Sequence, residues 1–184
     1  NLDQYRQANF DALDERVRLS IPGIRLRGNL WVGEGVDLDD LEAVEAPAFV
    51  GNYCRIALRA SVGPYSVLMP SVTLGDHARS ARSVVDSSTS IGRSAVVEGA
   101  IVGRACDIRP HAPLHEGVAV GDNCTIGEES VVMPDVRVYP YKEVESGTIV
   151  DRNVIWESRP ASRLGGGAQR VGLINVDLTP VSTL

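Results

Sequence analysis

The sequence predicts an all-β fold: a parallel β-helix of hexapeptide repeats, about seven coils long, with a short N-terminal helix and an extended C-terminal tail. Three observations predict it. First, every sixth residue is aliphatic, in three runs: Leu26, Val32, Leu38, Val44, Val50, Ile56, Val62, Leu68 and Leu74; Val85, Ile91 and Val97; then Val102, Ile108, Leu114, Val120, Ile126, Val132, Val138, Val144 and Val150. Second, a small or short side chain stands two residues before most of them, as at Ala48, Cys54, Ala60, Ser66, Val72, Ala95, Ala100, Cys106, Ala112, Val118, Cys124, Ser130 and Val136. Residues two apart on a strand share a face, so each hexad sends one large and one small side chain inward. Third, glycine often follows the aliphatic (Gly33, Gly51, Gly63, Gly75, Gly92, Gly103, Gly121, Gly127). A glycine there fits a corner where the chain bends or takes a positive φ. Three hexads make an 18-residue triangular coil, and successive coils stack as parallel strands that bury their inner faces only against neighbours.

Before the hexads, Leu2, Tyr5, Phe10 and Leu13 lie on one face of a helix that runs from Leu2 to Leu13. This helix, within residues 1–15, has no obvious partner in the sequence, and a preceding domain is its natural one. Val17, Leu19 and Ile21 then alternate as a strand, and Pro22-Gly23 turns the chain. The β-helix itself is expected over residues 16–156. Its period slips twice by one residue, between Leu74 and Val85 and between Val97 and Val102. The polar stretch Asp76–Ser83 holds Ser80 where an aliphatic is due, and an irregular coil or small bulge is expected there. Residues 157–184 form a linker with Pro160 and Gly165-Gly166-Gly167, followed by an extended segment, Val171–Leu178.

Composition narrows the classes. The chain has 184 residues and a net charge of −6, with no Lys/Arg cluster, which argues against a nucleic-acid partner or membrane-surface attachment. No apolar run is long enough to span a bilayer. No signal-peptide pattern opens the sequence, and its first residue is Asn, which suggests a fragment. Cys54, Cys106 and Cys124 fall on the small inward position, where free cysteine packs as a small hydrophobe. Reduced, buried thiols fit a cytoplasmic protein. Trp31 and Trp156 stand near the two ends of the stack, where they can plug it. Tyr139 and Tyr141 are read as a solvated corner, and Asp37, Asp39, Asp40, Glu42 and Glu45 as a solvated outer face.

The two ends carry a family resemblance. Residues 1–13, Asn-Leu-Asp-Gln-Tyr-Arg-Gln-Ala-Asn-Phe-Asp-Ala-Leu, resemble the last helix of the nucleotidyltransferase domain of sugar-nucleotide pyrophosphorylases. Pro22-Gly23 and Leu30-Trp31-Val32-Gly33 look like the entry into the C-terminal β-helix of mannose-1-phosphate guanylyltransferases (GDP-mannose pyrophosphorylases). The shortened coils around Arg82–Val85 and Gly99–Gly103 are similar to irregular coils common in that group. Gly172–Pro180 resembles the segment that joins this helix to a phosphomannomutase-like domain in fused enzymes, although Gly165-Gly166-Gly167 interrupts it and the sequence stops at Leu184.

This resemblance implies a left-handed β-helix that serves assembly and regulation. It implies a homo-oligomer formed through the β-helix, and contact with a nucleotidyltransferase domain at the N-terminal end. The family's Gly-rich nucleotide loop, phosphate-binding basic residue and acidic metal ligands have no counterpart in the sequence. The expectation is therefore a module with no catalytic, cofactor-binding or metal residues of its own and no cofactor.

Two enzymatic alternatives use the same fold. A stand-alone hexapeptide acyltransferase needs a histidine base in a groove between subunits, and His77 in the polar break is the candidate. A γ-carbonic-anhydrase-like zinc enzyme needs three histidines, and the chain has three, His77, His111 and His115. His111 lies four residues before His115, however, where that family has five. A one-residue shift on a strand turns a side chain to the other face. A third alternative is a pure assembly module with no active parent.

Overall fold

The computed structural model describes residues 1–38 and 40–155. The chain winds into a parallel β-solenoid of seven coils with three faces of very short strands. Along the first face the registered residues are Leu30, Ala48 and Ser66, and then Val67, Val84, Ile101, Ala119 and Arg137. The second face runs in register from Asp37–Leu38 to Glu143–Val144, and the third from Ser61–Val62 to Ile149–Val150.

The core is the hexad pattern made solid. From Val44 to Val150, every aliphatic of the three runs is buried, and so is every small partner from Ala48 to Val136. Val32 and Leu38 are partly buried against that core. Leu26 is exposed and lies outside it. Its N–H instead bonds to the Leu30 carbonyl at 2.8 Å, closing a hairpin.

The polar stretch around Ser80 forms no bulge. Ser80 occupies the inward position of a regular strand, Arg79–Ala81, between Val62 and Val97 in the coils on either side. The slips are confined to one corner, between the third and first faces. Ala48 pairs with Ser66 and Ile101 with Ala119, so those coils have 18 residues. Val67 pairs with Val84 and Val84 with Ile101, so the two coils between have 17. Each lost residue comes from the same corner in adjacent coils, so the registers of all three faces survive.

Corner chemistry also differs from expectation. From the hexad of Ile56 onward a left-handed residue stands three before the inward position, as at Tyr53, Arg59, Tyr65, His77, Arg82 and His111, all with φ between 49° and 64°. The glycines that follow the aliphatic are needed for space, not for φ. A Cβ on Gly51 would lie 2.8 Å from the Met69 carbonyl carbon, and one on Gly127 would run into the Ser146 nitrogen. The stacked backbone of the next coil leaves no room there for a side chain.

The small inward position has a second task. Where it is Ser, Thr or Cys, the side chain donates to a carbonyl one coil on. Ser66 Oγ reaches Ser80 O at 3.1 Å, Thr89 Oγ1 reaches Gly103 O at 2.7 Å, and Ser130 Oγ reaches Glu145 O at 2.7 Å. Cys54, Cys106 and Cys124 do the same toward Met69, Gly121 and Tyr139. The cysteines are thus inside, as their register requires, but they act as donors as well as filler.

At the first coil the third face is not yet a strand. A 3₁₀ turn, Leu41–Ala43, replaces it, capped by the Asp40 carboxylate on the Glu42 N–H at 2.9 Å. Asp37, Asp40, Glu42 and Glu45 are exposed, as read from the sequence, and Glu42 pairs with Arg27 at 2.8 Å; Asp39 lies outside the described residues. Val17, Leu19 and Ile21 form no strand. Ile24–Arg25 does, antiparallel to Leu30–Val32. Trp31 does not plug the stack. It sits on the outside of the first face, registered with Phe49, with the Arg25 guanidinium 5.5 Å from its ring. Trp156 and the Val171–Leu178 segment lie outside the described residues.

Candidate functional site

Helix α1 (Leu2–Leu13) begins with a capping box: the Asn1 side chain accepts the Gln4 N–H, and the Gln4 side chain accepts from the Asn1 nitrogen. It ends where Glu15 turns to φ +59° and the Arg16 N–H bonds the Asp11 carbonyl at 2.9 Å. Its apolar face has a partner within the chain. Leu13 is buried with Phe49, Val67 and Val84, and Ile21, Trp31 and Met69 pack around them.

Phe49, Val67 and Val84 are outward residues of the first face, in register with one another. The whole outward column of that face is Trp31, Phe49, Val67, Val84, Ile101, Ala119 and Arg137. An apolar outer column needs a cover, and α1 supplies it for the upper coils. On the second face the corresponding column is polar, from Asp37 through Arg55, Thr73, Ser90 and Asp107 to Thr125 and Glu143. On the third face the column is polar beside the upper coils, at Ser61 and Arg79, and turns apolar only later, at Val96, Pro113, Val131 and Ile149, so beside the upper coils the first face is the apolar one. Only a reading of the positions just before the aliphatics at the coil spacing, 18 residues but 17 across the two slips, would have found it.

Polar contacts fix the helix lengthwise along the shortened corner. Phe10 tilts against the Tyr65 ring with centroids 5.2 Å apart, and the Tyr65 hydroxyl donates to Asp14 Oδ1 at 3.0 Å. That bond holds the phenol above its ordinary pKa. Asn29 Nδ2 donates to the Leu13 carbonyl at 2.8 Å. At the other end Arg6 donates to the Gly99 carbonyl and pairs with Glu116 at 2.7 Å. Arg82 joins Glu116 to Glu98, at 3.2 and 3.1 Å. Arg82 and Gly99 are the left-handed residues of the two shortened corners, with φ +49° and +63°. The shortened corners thus place the Gly99 carbonyl and this four-residue ion network under the first turns of α1.

The three histidines do not converge. His77 and His111 are exposed left-handed corner residues between the second and third faces, two coils apart. His77 Nε2 lies 3.9 Å from Asp76, and His111 Nε2 lies 3.5 Å from Arg93. His115 is exposed at a different corner, directly after Leu114. Among the described residues no three His, Cys, Asp or Glu side chains form a metal-sized group. Tyr139 and Tyr141 are exposed at their corner, as expected. Cys106 and Cys124 stack in adjacent coils, and hydrogen bonding to Cys124, then burial, hold the Cys106 thiol above its ordinary range. An open groove of about 450 Å³ lies where Ala12 and Glu15 of the helix end meet Val17, Leu19 and Ile21, beside Trp31. No described helix is long and apolar enough to cross a membrane.

The match to known families falls on these coils. Residues 44–155 match the family model described as the GMPPB C-terminal domain, which is more than half of the chain. The chain belongs to that family. The GMPPB C-terminal domain match takes in the two shortened coils and Phe49, Val67 and Val84 under α1, while Trp31 and α1 itself lie before it.

No curated protein matches the chain. Solved structures similar to parts of the chain include the following. PerB from Caulobacter crescentus, determined with CoA and GDP-perosamine, is 25% identical over 55% of this chain and 47% of its own, with a TM-score of 0.41. The acetyltransferase domain of PglB from Neisseria gonorrhoeae is 14% identical over 68% and 50%, with a TM-score of 0.37. UDP-N-acetylglucosamine O-acyltransferase from Moraxella catarrhalis is 13% identical over 63% and 60%, with a TM-score of 0.38. The chain spans about half the length of the first two. At these TM-scores none of the three bears on what this chain does.

Proposed function

We propose that this chain is the non-catalytic β-helix module of a cytoplasmic sugar-1-phosphate nucleotidyltransferase of the mannose-1-phosphate guanylyltransferase type, serving its assembly and regulation. The observation that carries the proposal is the match of residues 44–155 to the GMPPB C-terminal domain. The docked α1 supports it, because its sequence resembles the last helix of the preceding catalytic domain. In this reading the module needs no cofactor and holds no catalytic residue. It joins like copies through its flat outer faces, as symmetric homo-oligomers do.

The test compares the longer protein with and without the β-helix residues. Nucleotidyl transfer is expected to survive the deletion, with a changed assembly state by light scattering or a changed response to effectors. Retention of both assembly and regulation would refute the assigned role. A parent that transfers no nucleotide would refute the family reading of the activity.

A further inference from the structure

The direction of α1 says where a preceding domain must sit. Phe10 and Asp14 contact Tyr65, on the corner leading into the third coil, while Arg6 contacts Gly99 and Glu116, on corners leading into the fifth and sixth. The helix thus runs against the direction of the stack. At 1.5 Å per residue, Asn1 stands about 7 Å beyond Arg6, beside the later coils and far from the first. A chain arriving at Asn1 therefore reaches the helix beside those coils.

What lies beside that exit is the uncovered remainder of the apolar column. Ile101 and Ala119 continue it below Val84 and are only partly buried, and Arg137 ends it. On the first turns of the helix, Leu2 and Tyr5 are 39% and 46% exposed. Leu2 and Tyr5 on the first turns of the helix, and Ile101 and Ala119 on the strands of the fifth and sixth coils that Arg6 reaches, are thus the incompletely covered apolar residues at this end. We infer that the domain preceding Asn1 rests on this patch, against the fifth and sixth coils, and not on the open end of the first coil. The inference rests on the reading of the chain as a C-terminal module.

Hydroxyl-radical footprinting with mass spectrometry tests it, on this chain and on the longer protein. Labelling of Leu2, Tyr5 and Ile101 is expected to fall several-fold in the longer protein, while Tyr53 and Leu58, exposed at other corners, stay unchanged. Ala119→Arg in the longer protein should restore that labelling and speed proteolysis at the junction. The solenoid tolerates it, because Ala119 points outward on its strand. Unchanged labelling of the patch, or protection at Val17, Leu19 and Ile24 by the first coil, would overturn the inference. Loss of labelling in this chain alone that depends on its concentration would assign the patch to a second copy, and would also overturn it. Nucleotidyl transfer by the same longer protein is a separate readout. Its absence counts against the family activity and leaves the footprint to judge the docking.

Discussion

Arg6 and Glu116 are 110 residues apart in sequence and 2.7 Å apart in the fold. Arg6 is the less exposed partner, and it also donates to the Gly99 carbonyl. Exposed ion pairs contribute about 0.2–1 kcal/mol, so the carbonyl bond should carry much of the contact. Arg6→Met is therefore expected to weaken docking of the first turns of α1 by about 1–2 kcal/mol, and Glu116→Gln by less. Hydrogen exchange of the α1 amides measures both. The melting of the stack should hardly move, because coils are held by their neighbours and not by the helix. Equal effects of the two variants would show that the carbonyl bond is unimportant.

Gly51 and Gly147 separate two reasons for glycine. At Gly51 a Cβ would meet the Met69 and Pro70 backbone at 2.8 Å. Gly51→Ala must push two coils apart and is expected to cost about 1–3 kcal/mol. A Cβ at Gly147 would meet nothing within 4 Å, but the residue's φ is +70°. Gly147→Ala should cost only the left-handed penalty, about 1 kcal/mol. Urea midpoints of the two variants give the comparison. The reverse order would mean that backbone conformation, not coil contact, selects these glycines.

How much of this was legible in the sequence follows from which rule each residue obeys. Within each of the three runs the aliphatics obey a six-residue period, so from Val44 to Val150 their burial could be read without any knowledge of the coil. Ser80 obeys the same period with the wrong chemistry, and its polarity made a regular strand look like a break. Gly51 and Gly127 are consistent with either a bend or a close approach, and only the neighbouring coil decides between them. The seat of α1 needed a longer period. Trp31, Phe49 and Val67 recur at 18 residues, but Val84 and Ile101 at 17, because of the two slips. The slips thus hid from the sequence the column that α1 covers. The ion network at Glu116 also depends on that register, so it could not be read from local pattern.

The Cys54 thiol gives a pH dependence with a definite sign. Burial is the largest influence and raises it above its ordinary value of 9.0. The folded state therefore keeps a proton that the unfolded chain gives up above that value. This contribution to stability is full below pH 9 and falls as the pH rises past it toward the folded value. Cys54→Ser removes the titration while keeping a donor for the Met69 carbonyl, as Ser66 and Ser130 show in their own coils. Urea midpoints between pH 8 and about 10 should fall less steeply for the variant than for the parent chain. A steeper fall in the variant would contradict the assignment.

Ser80 and Ser83 are both fully buried, three residues apart, and should respond to alanine with opposite signs. Among the described residues Ser80 Oγ has no hydrogen-bond partner, and it stands in a column between Val62 and Val97. An unpaired buried hydroxyl costs about 1–3 kcal/mol, so Ser80→Ala should stabilise the chain by about 1 kcal/mol. Ser83 Oγ shares its one proton between the Ala81 and Val97 carbonyls, at 2.7 and 3.1 Å, and accepts the Ala100 N–H at 3.1 Å. It ties together the two shortened corners beneath α1. Ser83→Ala leaves those backbone groups short of a partner and should cost about 2 kcal/mol, with faster exchange at the Ala100 amide. Destabilisation by both variants would mean that the Ser80 hydroxyl finds a partner in solution, and that the aliphatic column tolerates serine there for a reason other than coil register.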